Sequence, residues 1–285
     1  MTTLIATDLD QTLIYSRRAI ARWGGGSAAI AAVEQYQGVD SSFMTAIAAA
    51  TMAELTEQAT VVATTTRTPE QLARVRLPGG PTAFAVAANG GVLLVDGVPD
   101  VDWGRAVAER VTAGAPVAEV LAHAQDTCRP EWTKLVRTAS DLFCYAVLDR
   151  AGLPDTFVAD EAAWAAERGW QVSLQGRKLY WVPTSLTKSA AVAEIVRRTG
   201  SDRVLAAGDS LLDADLLLAA NAGIAARHGE LVASGWSAPH IEVTAADGIV
   251  AGEEIAAWFA ASLSAASRRG PDRPAPPRRA RTAAG

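Results

Sequence analysis

Short apolar runs that end on polar groups recur along the chain, separated by stretches with helical periodicity. The first, Thr3-Leu4-Ile5-Ala6, reads as a buried strand and exits into Thr7-Asp8-Leu9-Asp10-Gln11-Thr12-Leu13. The glycine-rich patch Trp23-Gly24-Gly25-Gly26-Ser27 reads as a flexible part of a flap over that exit, with a strand over 30–37 behind it. No Gly-Lys-Ser/Thr follows the patch, so it is not a phosphate loop. Asp40-Ser41-Ser42 has the composition of a helix start, 46–58 that of a helix with one apolar face, and 59–64 that of a second buried strand. A third strand over 83–88 runs through Asn89-Gly90-Gly91 into Val92-Leu93-Leu94-Val95, which is a hairpin pattern.

From about Trp103 to Tyr180 the pattern changes. Helices over 103–113, 116–125 and 155–168 alternate with strand-like runs over 131–137, 141–148, 171–175 and 178–182, the last two joined by a turn at Gly176-Arg177. These strands alternate polar and apolar positions, as a half-covered antiparallel sheet does. A stretch of this kind inside an α/β chain predicts an inserted α+β module. After Pro183 the first pattern resumes. A helix opens at Thr187-Lys188-Ser189 and continues over 190–199, a strand over 203–207 exits into Gly208-Asp209, and a helix covers 216–220. A short strand over 223–225, a loop holding His228 and a last helix over 252–264 follow. The expected fold class is α/β: a Rossmann-like parallel sheet core from residues 1–98 and 184–264, with an α+β cap over 99–183. The Pro/Arg-rich residues 265–285 have no apolar periodicity and are expected to be disordered.

Composition allows this plan. The chain has 285 residues, 49% of them apolar, which is near the size where one core gives way to two. No apolar run approaches the roughly 20 residues of a membrane span, and no charged n-region with a cleavage site opens the chain. Cys128 and Cys144 have no zinc-like spacing, so free thiols and a cytoplasmic setting are expected. Net charge is −5, but residues 268–285 carry six Arg against one Asp, which leaves the body strongly acidic. That balance argues against nucleic acid as the main partner.

Ligands of open α/β sheets sit beyond the carboxyl ends of the strands. Asp8 and Asp10 stand at such an end, and two carboxylates there call for a divalent metal, a lysine or both. The hydroxyls of Thr65 and Thr66, followed by Arg67 and a helix start at Pro69, offer a phosphate cradle. Asn89 stands at the same edge, where it either bonds substrate or makes the turn. Lys188 occupies the first turn of a helix, where the dipole favours acids, so pairing with a carboxylate cluster explains it. Asp209 and Asp213 are four residues apart and can face one point if a helix starts between them. In the insert, Lys134, Arg137, Arg177 and Lys178 are basic candidates to meet an anionic substrate, with Arg177 and Lys178 best placed.

Taken together, these motifs resemble the haloacid-dehalogenase (HAD) superfamily of phosphatases. Asp8-Leu-Asp10-Gln-Thr12 matches its first motif, Thr65 the second, Lys188 the third and Gly208-Asp209-Ser-Leu-Leu-Asp213 the fourth. The place of the insert is similar to that of the Cof-type and sucrose-phosphate-phosphatase branch. The resemblance implies a phosphohydrolase using Mg²⁺, with Asp8 as nucleophile and Asp10 as acid and base, its proton held by a raised pKa. It further implies Asp8, Asp10, Asp209 and Asp213 around the metal, with Thr65 and Lys188 on the phosphoryl oxygens. The expected partner is a small phosphorylated metabolite, a sugar or polyol phosphate first. Thr66 and Gln11 stand where glycines are usual, and Leu212 where an Asn is common. A phosphosugar mutase of the same fold and a non-catalytic ligand-binding protein remain as alternatives. A response-regulator receiver fits poorly, because its acceptor Asp ends a middle strand of a domain about half this length.

Overall fold

The computed structural model describes residues 2–24 and 28–268, with the side chains of 266–268 left aside. Residues 25–27 of the expected flap and 269–285 of the expected tail lie outside the described residues. The elements run in chain order as β1 (Thr3–Thr7), β2 (Tyr15–Ser16), α1 (Arg17–Trp23), β3 (Ile30–Tyr36), β4 (Val39–Thr45), α2 (Ala46–Gln58), β5 (Thr60–Thr64) and α3 (Pro69–Leu72). Then come β6 (Phe84–Ala87), β7 (Val92–Val95), β8 (Val98–Pro99), α4 (Val101–Val111), α5 (Val117–Thr127), β9 (Thr133–Ala139) and β10 (Phe143–Leu148). The insert continues with α6 (Phe157–Ala166), β11 (Trp170–Gln175) and β12 (Lys178–Pro183). The chain returns with α7 (Lys188–Thr199), β13 (Arg203–Gly208), α8 (Ala214–Ala219), β14 (Ala222–Ala225), α9 (Glu230–Ala233), β15 (Ile241–Val243) and α10 (Gly248–Arg268).

The main sheet has eight strands in the order β15-β14-β13-β1-β5-β6-β7-β8. Strands from β15 to β6 pair in parallel, and the β6–β7 and β7–β8 pairs are antiparallel. The antiparallel edge is the predicted hairpin. β1 is buried at every position, as a central strand covered on both faces must be. Its neighbours come from opposite ends of the chain: β5 follows it on one side, and β13 returns on the other. The crevice between β1 and β13 is therefore the switch point at which such sheets bind ligands.

The inserted module is a four-stranded antiparallel sheet, β11-β12-β10-β9, backed by α5 and α6. Trp103 of α4 is buried and donates from Nε1 to the Gly90 carbonyl at 2.9 Å, fixing the start of the insert to the main sheet. At the opposite end, the Glu230 carboxylate accepts from Ser173 Oγ at 2.5 Å and Leu174 N at 2.9 Å on β11, and from Leu211 N at 3.1 Å in the core. Gln175 Nε2 also donates to Ser210 Oγ at 2.9 Å. The cap is thus closed onto the core.

Three local readings need correction. Asp40-Ser41-Ser42 does not open a helix; it belongs to β4, the middle strand of a three-stranded sheet β2-β4-β3. Its polar side chains serve the sheet, with Ser42 Oγ donating to Glu34 at 2.5 Å, and the actual cap is Thr45, which accepts from Ala48 N. The residues after His228 form α9 and β15, both too short to carry a periodic signal. The last helix starts at Gly248 and runs to Arg268, four residues beyond the expected end at both sides.

A turn of 3-10 helix over Ala88–Gly90 packs against the start of α7. Gly90 has φ +95°, and a Cβ there would lie 2.0 Å from the Thr187 carbonyl oxygen. Both the backbone and the space exclude a side chain. Gly90→Ala is expected to lower unfolding free energy by about 2–4 kcal/mol in urea titration, with an unchanged m value.

Candidate active site

The register of the central strands brings the candidate carboxylates together. Thr7 pairs with Ala207 across β1 and β13, and Asp8 N donates to the Ala207 carbonyl at 2.9 Å, so Asp8 leaves the sheet beside Gly208-Asp209. Lys188, at the start of α7, donates from Nζ to Asp8 Oδ1 at 2.7 Å and to Asp213 Oδ1 at 2.5 Å. Oxygens of Asp8, Asp209 and Asp213 all lie within 4.8 Å of one another. Relative exposure is 5% at Asp8, 3% at Asp209 and zero at Asp213 and Lys188, so water does little to screen them.

Asp213 has a fully engaged carboxylate. Oδ1 accepts from Lys188, and Oδ2 accepts from Asp209 N, Ser210 N and Ser210 Oγ at 2.8–3.1 Å. A Cβ at residue 208 would lie 2.3 Å from the Asp213 Cβ, which is why the strand ends on Gly208. Asp8 Oδ2 and Asp209 Oδ1 share one weak donor, Thr12 Oγ1, at 3.3 and 3.4 Å. Asp209 is thus a buried carboxylate with no strong partner. Burial, with the charges of Asp8 and Asp213, pushes its pKa well above the ordinary range. Burial likewise raises Asp8, to about 7, against the pull of Lys188. Lys188 itself stays protonated, because Asp213 and Asp8 outweigh the burial that would strip its charge. Hard oxygen donors with excess negative charge fit a divalent cation. Asp8 and Asp209 would hold it, and Asp213 would orient Lys188 and the Asp209 backbone.

The resemblance expects the backbone carbonyl of Asp10 at the metal. Its carboxylate lies outside the three-acid cluster and accepts a two-point contact from Arg67, at 2.7 Å from Nε and 2.8 Å from Nη2. Burial would raise its pKa, but Arg67, aided by Lys178 and Lys188, lowers it below the ordinary value. The side chain is 40% exposed, so the burial contribution is partial. The raised pKa expected of an acid in this position is not present in this state. Gln11, which replaces a glycine of the resembled motif, takes φ +64°. Its carbonyl accepts from Tyr15 Oη at 2.9 Å and His228 Nε2 at 3.0 Å, and these bonds offset the strain of that backbone. Gly248 N donates to His228 Nδ1, so the proton is on Nε2 and the imidazole is neutral; burial lowers its pKa further.

Thr65 is buried at the end of β5, and its hydroxyl accepts from Arg67 N at 3.2 Å. Thr66 Oγ1 donates to Tyr180 Oη of the cap at 3.4 Å. The helix after them is only four residues long, and Thr68 caps it. Asn89 makes the turn, at φ +55°, and Nδ2 donates to the Leu186 carbonyl at 3.0 Å, which anchors the approach to Lys188. Lys178 reaches the cleft, with Nζ 5.7 and 5.9 Å from the ring centroids of Tyr145 and Tyr180. Arg177 does not: it is exposed on the β11–β12 turn, where its carbonyl accepts from Leu148 N. Residues not singled out from sequence include Glu34 and Tyr180, common residue types in an unremarkable local pattern that only tertiary contact marks; Thr12 and Ser210 lie inside the motifs but were given no role.

No protein-family model and no curated protein matches the sequence. Solved structures do match in fold. A sucrose-phosphatase from Synechocystis sp. PCC6803, in complex with sucrose and phosphate, aligns with TM-score 0.60 at 15% identity over 91% of this chain and 99% of that one. Thermoplasma acidophilum 0175 aligns with TM-score 0.58 at 14% identity, over 92% and 99% of the two chains. The HAD subclass IIB sugar phosphatase BT4131 aligns with TM-score 0.54 at 12% identity, over 92% and 100%. The chain therefore has the fold of HAD superfamily phosphatases, an α/β core with an inserted cap.

The cluster makes a prediction about pH and metal. Asp8 and Asp209 bind protons more tightly folded than unfolded, so the stability they add at low pH is lost as pH rises from the ordinary carboxylate range through their raised folded values, about 7 for Asp8. In EDTA, the melting temperature should fall over that window, and Asp209→Asn should melt above the wild type at pH 7.5. Mg²⁺ should raise the melting temperature of the wild type and leave Asp209→Asn unmoved in differential scanning fluorimetry.

Proposed function

We propose that this chain is a Mg²⁺-dependent phosphate monoester hydrolase that works through a phosphorylated Asp8, with a small sugar or polyol phosphate as substrate. The observation that carries the proposal is the buried group of Asp8, Asp209 and Asp213 joined by Lys188 at the sheet's switch point. A divalent ion held by Asp8 and Asp209 would supply charge neutralisation for the phosphoryl oxygens. Lys188 orients Asp8, opposes the burial that raises its pKa, and offsets negative charge on the group being transferred. The Asp8 carboxylate forms a bond to phosphorus as the ester P–O bond breaks; water then cleaves the acyl phosphate and restores Asp8. Asp10 would protonate the leaving oxygen, and it can do so only after Arg67 releases it. The closed cap keeps bulk water from the buried carboxylates. A sugar ester is supported by the similar folds, among them a sucrose-phosphatase bound to sucrose and phosphate and a sugar phosphatase.

Phosphate release from a panel of sugar and polyol phosphates with Mg²⁺ tests this reading. Asp8→Asn should cut turnover by at least about 10³-fold. EDTA should abolish turnover, and added Mg²⁺ should restore it. Equal rates for the wild type and Asp8→Asn would end the proposal, and isomer formation without free phosphate would replace it with a mutase.

A further inference from the structure

Beside Asp10 the cleft opens into a cavity of about 230 Å³ that the reaction as described does not use. The β3–β4 hairpin contributes Glu34, Tyr36 and Ser41 to its wall. The segment around α3 contributes Arg67, Gln71 and Arg74, and the cap contributes Lys178. We infer that this cavity binds a second anionic group on the leaving part of the substrate, so that the preferred esters carry a carboxylate or another phosphate besides the one removed. The inference rests on the phosphatase reading and narrows its substrate class.

Charge is the first argument. Three cations face the cavity and one carboxylate does. Glu34 is buried and ionised, its pKa held down, against the cost of burial, by Ser42, Arg67 and Arg74. It is already shared between Arg67 Nη1 at 3.0 Å and Arg74 Nε at 3.2 Å. Asp10 takes the other two nitrogens of Arg67. Lys178 has no carboxylate within ion-pair distance among the described residues; its near partners are the Tyr180 side chain, which supports its charge, and the Tyr145 ring, with Asp10 attracting it from further off. Even with Asp10 counted, one positive charge is left over, and a neutral sugar would not balance it.

The second argument is a poorly used donor. Arg67 is 8% exposed, and its Nη1 sits 3.0 Å from Glu34 Oε1 without hydrogen-bond alignment. An anionic oxygen in the cavity would give that buried nitrogen a better-aligned acceptor. The wall is also tied together by contacts within the chain. Arg76 N donates to the Val33 carbonyl at 2.7 Å, Glu34 bridges to Val75, and Arg74 stacks 4.9 Å from the Tyr36 ring centroid. Arg67 spans from Asp10 to the cavity, so an anion bound there competes with Asp10 for the same guanidinium and loosens its hold on that carboxyl.

Matched esters test the inference. 6-Phosphogluconate and sorbitol 6-phosphate differ only by a carboxylate, as do 3-phosphoglycerate and glycerol 3-phosphate, and sorbitol 1,6-bisphosphate supplies a phosphate instead. The wild type should prefer at least one two-anion member over its partner by about tenfold or more in kcat/KM. Arg74→Gln should reduce that ratio about tenfold, Arg74→Lys should keep part of it, and the exposed control Arg105→Gln should leave it unchanged. Circular dichroism melting shows whether each variant is folded. Hydrolysis of single-anion esters with no preference, and no change of ratio in Arg74→Gln, would overturn the inference while leaving the phosphatase reading intact. If no ester is hydrolysed, the phosphatase reading fails, and calorimetric binding of the same pairs decides the cavity alone: equal affinities overturn it.

Discussion

Three carboxylates and one ammonium share a space from which water is nearly excluded. At an effective dielectric of about 20, two like charges some 4 Å apart repel by about 4 kcal/mol, so one lysine cannot settle three acids. Asp213 is made safe by four donors and Asp8 by Lys188, while Asp209 is left with a strained share of Thr12. The arrangement is stable enough to exist because the central sheet and α7 are packed around it, and it is chemically useful because the debt of charge is left open at one place.

Much of the remaining structure serves to hold that place. Gln11 adopts a backbone conformation that suits glycine, and two donors from different parts of the chain, Tyr15 and His228, keep it there. Asn89 and Gly90 form the turn on which the start of α7 rests, which in turn aims Lys188. The second row of groups is therefore built from backbone contacts, and its residues are interchangeable in composition but not in geometry.

The polar exits of the strands were legible because a strand that is buried throughout must leave its charges at its ends, which marks Asp8 and Asp209; Lys188 is marked by its place against the helix dipole and Asp213 by its spacing from Asp209, and all four meet. The order of acids and lysine also made the fold recognisable where identity to the matching structures is only 12–15%. Side-chain partners were less legible. Asp10 binds Arg67, 57 residues away, and nothing in a spacing rule states which of several sheet-edge groups will pair in the closed form. Asp40-Ser41-Ser42 has the composition of a helix start because Asp and Ser are favoured in caps, yet both are tolerated in a strand whose hydroxyls find a buried carboxylate. Arg177 was drawn into the site by its neighbour Lys178, but adjacent residues beside a tight turn face different ways.

The Glu230 contacts carry a consequence for how fast the molecule can cycle. Swinging the cap away takes Ser173 and Leu174 from that carboxylate but leaves it Leu211 and solvent. Partly exposed bonds of this kind are together worth about 1–3 kcal/mol, a factor of roughly 5 to 160 toward the shut form. Glu230, outside the carboxylate cluster, is thus a weight on the balance between a shut and an open cap.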